Sequence, residues 1–117
     1  MKEIFIVEDD DGIRELLEFL LNGQGYLVKT FPNARSFRAM VSQKIPDLFL
    51  LDIMLPDGNG LSLCSELKEN KETYKIPVVL MSAHAEVSVR EGADGFIAKP
   101  FEVDELLHLI NFFSTSD

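Results

Sequence analysis

Acidic side chains follow two separate apolar runs in this sequence. Glu8 and Asp9 come directly after the run at 4–7, and Asp52 follows the run at 48–51. If both runs are parallel strands of one open sheet, their carboxyl ends meet at the same edge and the acids share a pocket. Carboxylates held that close repel one another unless a hard cation lies among them. The sequence therefore predicts an acidic pocket that binds Mg²⁺ or a similar ion.

Two further polar side chains occupy equivalent places in the chain. Ser82 follows the apolar run at 76–81, and Lys99 follows a shorter run at 96–98. Together with the acids, they outline a cage for a small tetrahedral anion in which Asp52 is the nucleophile. A carboxylate can attack phosphorus to give an acyl phosphate, and phosphoryl transfer needs mainly in-line positioning and neutralisation of the oxygens. We therefore predict that Asp52, Ser82 and Lys99 are the catalytic residues.

The elements that must position these side chains alternate along the chain. Apolar runs predict strands at 3–7, 26–31, 47–51, 76–81 and 96–98. Apolar residues at helical spacing predict helices near 13–21, 37–41, 61–70 and 102–113. Alternation of this kind is typical of an α/β domain that is wound on both sides of a parallel sheet.

Length, composition and charge narrow the possible classes of protein. The 117 residues fit one domain, 1–117, and they contain no apolar run of eighteen residues that would predict a membrane span. The formal net charge is −9, which disfavours direct binding to nucleic acid. The start lacks the pattern of a signal peptide, so we expect a cytoplasmic location. The single cysteine, Cys64, is expected to be a buried or half-buried thiol without a chemical role.

Four segments in this order resemble the receiver domain of bacterial two-component response regulators, along nearly the whole chain. They are Val-Glu-Asp-Asp at 7–10, Leu-Asp-Ile-Met-Leu-Pro-Asp-Gly-Asn-Gly at 51–60, Met-Ser-Ala at 81–83 and Ala-Asp-Gly-Phe-Ile-Ala-Lys-Pro-Phe at 93–101. The resemblance implies a flavodoxin-like fold with five parallel strands in the order 2-1-3-4-5. It also implies that Asp52 accepts a phosphoryl group from a sensor histidine kinase or a histidine phosphotransfer protein.

The resemblance assigns roles to the other site residues. Asp9, Asp52 and the backbone carbonyl of Met54 would ligate Mg²⁺ directly, whereas Glu8 would act mostly through bound water. Lys99 would reach one phosphoryl oxygen.

The family also has a switch that the resemblance maps onto two residues. Ser82 would contact a second phosphoryl oxygen, and its movement would vacate space into which Phe96 turns. The phosphorylated form would then bind a downstream effector or a homodimer partner in a different way. The peptide bond between Lys99 and Pro100 would be cis, as in the family.

One departure from the family affects the surface through which the domain is expected to signal. Only 17 positions separate Ser82 from Lys99, which is about five fewer than receivers usually have. The remaining residues, 85–92, allow at most two helical turns, and we predict that the fourth helix is reduced to a turn or a loop. Because the family usually signals through the face that contains this helix, we expect the domain either to signal through another face or to dimerise differently.

The sequence also leaves other interpretations of these residues open. The acids at 8–11 can serve only the start of the following helix, and Phe96 can be an ordinary core residue. Asp57 and Asp94 are expected to serve turns.

Two other functions fit the site residues less well. A dehalogenase-type phosphatase would need an acid where Met54 stands, which argues against turnover of an external substrate, and a flavodoxin-like cofactor carrier would not place acids after its first strand. We therefore expect no enzymatic activity other than the domain's own phosphorylation and dephosphorylation. The remaining alternative is a degenerate receiver that binds partners without phosphorylation.

Overall fold

The computed structural model describes residues 1–83 and 92–115. In chain order, its elements are β1 (Glu3–Val7), α1 (Asp11–Asn22), β2 (Leu27–Phe31), α2 (Ala34–Val41), β3 (Leu48–Asp52), β4 (Met54–Leu55), β5 (Gly58–Asn59), α3 (Gly60–Glu69), β6 (Val78–Ser82), β7 (Gly95–Ala98) and α4 (Val103–Ser114). No helix among the described residues is long and apolar enough to cross a bilayer.

Five of the strands form one sheet in the order β2-β1-β3-β6-β7, and every neighbouring pair in it is parallel. The predicted fold class and strand order are therefore confirmed. The two remaining strands, β4 and β5, pair antiparallel in a short hairpin. The hairpin lies within the segment 53–60, for which the sequence predicted only turns.

The sheet separates two apolar cores because alternate residues of each strand point to opposite faces. On one side, Phe5 and Phe49 pack with the buried residues of α2 and α3. On the other side, Ile6 and Leu50 pack with α1 and α4. All five residues of β1 and all five of β3 are buried, as expected for central strands covered on both faces. This burial fixes the strand ends that carry the polar residues.

Aromatic contacts support the first of these cores. The rings of Phe5, Phe31, Phe37 and Phe49 form a chain of edge-to-face contacts, with centroids 5.3–6.3 Å apart. Cys64 is buried in the same core, as predicted.

Two local predictions have different outcomes. The bond between Lys99 and Pro100 is cis, as predicted. The prediction of a reduced fourth helix at 85–92 falls on residues outside the described ranges, except for Gly92.

Candidate functional site

The polar residues predicted to form a site do meet at one edge of the sheet. Glu8 follows β1, Asp52 and Ser82 are the last residues of β3 and β6, and Lys99 follows β7. The strand register places these ends side by side through the pairs Val7 with Leu51, Asp52 with Met81, and Ser82 with Ala98. Parallel pairing of strands that end in polar residues is thus sufficient to assemble the site.

Three carboxylates form the centre of this edge. One oxygen each of Glu8, Asp9 and Asp52 can be chosen so that all three lie within 4.8 Å of one another. Glu8 and Asp52 are only 1% and 6% exposed, whereas Asp9 is exposed. An open cleft of about 290 Å³ gives access to them and is lined by Glu8, Asp9, Asp10, Ile13, Asp52, Met54, Ala83 and Lys99.

Lys99 supplies the positive charge next to the buried acids. Its Nζ donates hydrogen bonds to Glu8 Oε1 at 2.5 Å and to Asp52 Oδ2 at 2.9 Å. Burial raises the pKa of Glu8, although the hydrogen bond from Lys99 acts in the opposite direction. Burial lowers the pKa of Lys99, but the hydrogen bonds to both carboxylates outweigh it and leave that pKa raised. Lys99 is therefore a cation at neutral pH.

After the β4–β5 hairpin, the backbone at Gly60 packs closely against the backbone at Asp52. The backbone N–H of Met54 donates to Asp52 Oδ1 at 3.2 Å, and the N–H of Gly60 donates to the carbonyl of Ile53 at 2.8 Å. A Cβ atom on Gly60 would lie 2.3 Å from the carbonyl oxygen of Asp52. Only glycine fits this close approach without moving the backbone that holds Asp52.

A response regulator receiver domain family model matches residues 4–111. This chain belongs to the receiver family. The predicted resemblance is thereby confirmed.

Two curated relatives illustrate the sequence similarity. The phosphate regulon transcriptional regulatory protein PhoB of Rhizobium meliloti (strain 1021) is 33% identical over 112 residues, which cover 92% of this chain and 49% of the relative. The DNA-binding transcriptional regulator NtrC of Proteus hauseri is 36% identical over 112 residues, which cover 92% of this chain and 23% of the relative. The chain thus spans about half or less of the length of these two relatives.

Two solved structures show how closely the fold is shared. A putative response regulator from Chloroflexus aurantiacus J-10-fl superimposes with a TM-score of 0.91 at 28% identity, and the match covers 98% of both chains. The response regulator TrrA from Thermotoga maritima, solved in complex with Mg²⁺-BeF, gives a TM-score of 0.88 at 30% identity, covering 97% of this chain and 99% of that one.

The acids at the start of α1 in this receiver domain divide into two groups. The side chain of Asp10 caps α1 by accepting a hydrogen bond from the N–H of Ile13 at 2.9 Å. Asp11 pairs with Arg14 in the first turn. Serving the helix start therefore accounts for Asp10 and Asp11, although Asp10 also lines the cleft beside Glu8 and Asp9.

The two predicted switch residues lie at the same edge of the receiver sheet but differ in their surroundings. Ser82 is 1% exposed, and its carbonyl accepts a hydrogen bond from the N–H of Lys99 at 2.8 Å. Of the described residues, its neighbour Ala83 lines the cleft and Ser82 does not. Phe96 is half-buried and packs against the core under α2 and α3. Their switch role stays a prediction.

Two aspartates that the sequence assigned to turns make longer connections in the receiver. Asp57 accepts hydrogen bonds from the N–H groups of Ala34 and Arg35, at 2.8 and 3.0 Å. Asp94 accepts from the N–H of Val78 and from Lys68 Nζ, both at 2.8 Å. Neither contact has a local sequence signal because the partners of Asp57 and Asp94 lie 16–26 positions away.

Proposed function

We propose that this receiver domain is a phosphorylation-controlled switch of a two-component system, in which Asp52 accepts a phosphoryl group from a histidine. The donor is a sensor histidine kinase or a histidine phosphotransfer protein. The observation that carries this proposal is the setting of Asp52, a carboxylate that lies at an open cleft and has an ammonium group 2.9 Å from one of its oxygens.

The chemical step requires little beyond these groups. A carboxylate oxygen of Asp52 attacks phosphorus and forms a P–O bond, while the P–N bond to the donor imidazole breaks. The bonding electron pair remains on the imidazole nitrogen, and the product is an acyl phosphate. Lys99 offsets the charge of one phosphoryl oxygen, because it remains protonated at neutral pH.

The site residues fit a bound Mg²⁺. Three carboxylates with oxygens within 4.8 Å of one another form a hard, oxygen-rich donor set, and Lys99 is the cation that hydrogen-bonds two of them. Asp9, Asp52 and the carbonyl of Met54 would hold the ion, with Glu8 acting through water. When bound, Mg²⁺ supplies positive charge that offsets the phosphoryl oxygens. The Mg²⁺-BeF complex of the related TrrA supports this proposal.

Other proteins would recognise the phosphorylated domain, and the domain would not act on an external substrate. In the proposed switch, Ser82 and Phe96 change packing when Asp52 is phosphorylated, and the domain changes its contact with an effector or with a second copy. The domain catalyses only its own phosphorylation and dephosphorylation. We further propose that it works in the cytoplasm, where kinase and phosphotransfer partners act, and that it does not itself bind nucleic acid.

The test is the intact mass after incubation with acetyl phosphate or phosphoramidate, each with and without Mg²⁺. The second donor has a P–N bond like that of phosphohistidine. Wild type should gain one phosphoryl group only with Mg²⁺, Asp52→Ala should gain none, and Asp104→Ala, a change on the exposed side of α4, should behave as wild type. If a folded protein that binds Mg²⁺ gains nothing from either donor, a phosphorylation-independent binding module is favoured instead.

A further inference from the structure

We infer that Asp57 is a positioning residue that fastens the metal-binding loop to the start of α2. Asp57 lies in the turn between β4 and β5, three residues after Met54. Its Oδ1 accepts a hydrogen bond from the N–H of Ala34 at 2.8 Å, and its Oδ2 accepts one from the N–H of Arg35 at 3.0 Å. This inference rests on the proposed function, because it assumes that the Met54 carbonyl is a metal ligand.

The two amides belong to the first turn of α2, where N–H groups have no partner within the helix. An aspartate carboxylate is favoured at such a place by the helix dipole as well as by the hydrogen bonds. The backbone hydrogen bond from Ala34 lowers the pKa of Asp57, and the bond from Arg35 acts in the same direction. The carboxylate therefore stays charged and keeps both bonds at neutral pH.

Helix α2 has a separate cap of its own. Asn33 is the N-cap residue, and its Oδ1 accepts a hydrogen bond from the N–H of Ser36 at 2.8 Å. Ala34 is fully buried in the core, which fixes the start of the helix. Because α2 is already anchored, the contact with Asp57 holds the hairpin rather than the helix.

The hairpin is also tied to the phosphoacceptor residue at its other end. The N–H of Met54 donates to Asp52 Oδ1 at 3.2 Å, and Gly60 closes the loop through the carbonyl of Ile53 at 2.8 Å. Met54 itself is 63% exposed, so little side-chain packing holds it. We therefore assign the orientation of the Met54 carbonyl to these backbone contacts and to the tether at Asp57.

Loss of the tether should weaken Mg²⁺ binding. The apparent dissociation constant for Mg²⁺ is inversely proportional to the fraction of molecules in which the loop has the binding conformation. If the binding conformation falls to about a tenth of the population, the dissociation constant rises about tenfold.

The experiment is a calorimetric titration of Mg²⁺ into wild type and three variants, alongside the phosphorylation rate with acetyl phosphate. Asp57→Ala should bind Mg²⁺ about tenfold more weakly. Asp57→Asn should recover part of this loss, because an amide oxygen still accepts a hydrogen bond. Asn33→Ala is the matched control, since it removes a cap of the same helix without touching the loop. It should keep the wild-type affinity although the protein is less stable.

The possible outcomes distinguish the inference about Asp57 from the proposed function. The inference is overturned if Asp57→Ala binds Mg²⁺ as wild type does, or if Asn33→Ala loses as much affinity as Asp57→Ala. If wild type binds Mg²⁺ but accepts no phosphoryl group from acetyl phosphate or from phosphoramidate, the proposed function fails, while a tenfold effect of Asp57→Ala still supports the tether. If wild type binds no Mg²⁺, both proposals fail.

Discussion

Replacing Lys99 with methionine removes the cation that contacts both Glu8 and Asp52. Methionine has a similar length, so the change removes charge more than packing. We expect the variant Lys99→Met to lose about 3 kcal/mol of unfolding free energy in the absence of Mg²⁺.

The magnitude follows from the two contacts of Lys99 Nζ, at 2.5 Å to Glu8 and 2.9 Å to Asp52. A hydrogen bond between charged groups contributes about 1.5–3 kcal/mol, so two contribute roughly 3–6 kcal/mol. The desolvation cost of the ammonium is recovered when it is removed, and water in the open cleft screens the remaining acids. The lower end of the range is therefore expected.

The loss should depend on pH because Glu8 loses the hydrogen bond from Lys99, although it keeps the one from the N–H of Asp10 at 3.0 Å. Its pKa is already raised by burial, and it rises further in the variant because Lys99 no longer opposes that shift. A carboxyl group with a raised pKa in the folded state adds stability below its unfolded pKa, and this contribution is lost as the pH rises through the folded pKa. The deficit of the variant relative to wild type should therefore be larger at about pH 7.5 than at about pH 5.

The assay is urea unfolding followed by far-ultraviolet circular dichroism, with a chelator present, at both pH values. Lys71→Met, a change at an exposed lysine, is the control and should stay within about 0.5 kcal/mol of wild type. A loss in Lys99→Met below about 1 kcal/mol, or a deficit that is equal at both pH values, would refute the reasoning.

Three further predictions concern the stability of variants at Gly60, Lys68 and Tyr26. Gly60→Ala should lose about 2–3 kcal/mol and slow phosphorylation, because its Cβ would lie 2.3 Å from the carbonyl oxygen of Asp52; unchanged urea unfolding would contradict this. Lys68→Met should lose about 2 kcal/mol in the same assay, because Lys68 Nζ bonds two backbone carbonyls and Asp94; a loss within about 0.5 kcal/mol would count against it. Tyr26→Phe should lose about 1 kcal/mol, since its hydroxyl bonds two side chains of α4; an equal or higher melting temperature would argue otherwise.

The sheet and its site edge were predictable because the signals are local. Strands β1, β3 and β6 contain continuous apolar runs, and each run is followed directly by a polar residue. Parallel pairing then places Glu8, Asp52 and Ser82 at one edge.

The contacts within the site were less predictable because they depend on tertiary proximity. The resemblance implied that Lys99 reaches a phosphoryl oxygen, but it did not indicate that the same ammonium bonds both Glu8 and Asp52. Gly60 has the sequence signature of a turn, whereas its structural role is the close approach to the backbone of Asp52. In each case, the partner lies on another element or across a loop.

Asp57 shows the same limit most clearly. Its place beside a proline and a glycine predicts a turn residue, and it does lie in the turn of the hairpin. Its carboxylate, however, bonds amides 22 and 23 positions earlier in the chain. Only the packing of α2 against the sheet brings the two segments together.

The most direct test of the central claim is to identify the side chain that carries the phosphoryl group. Borohydride reduces an acyl phosphate of aspartate to homoserine, which peptide mass spectrometry locates in the sequence. After phosphorylation with Mg²⁺, homoserine is expected at position 52 and at no other acidic position, and it should be absent when Mg²⁺ is chelated. Homoserine at position 9 instead, or an unmodified Asp52 in a protein that has gained a phosphoryl group, would contradict the account.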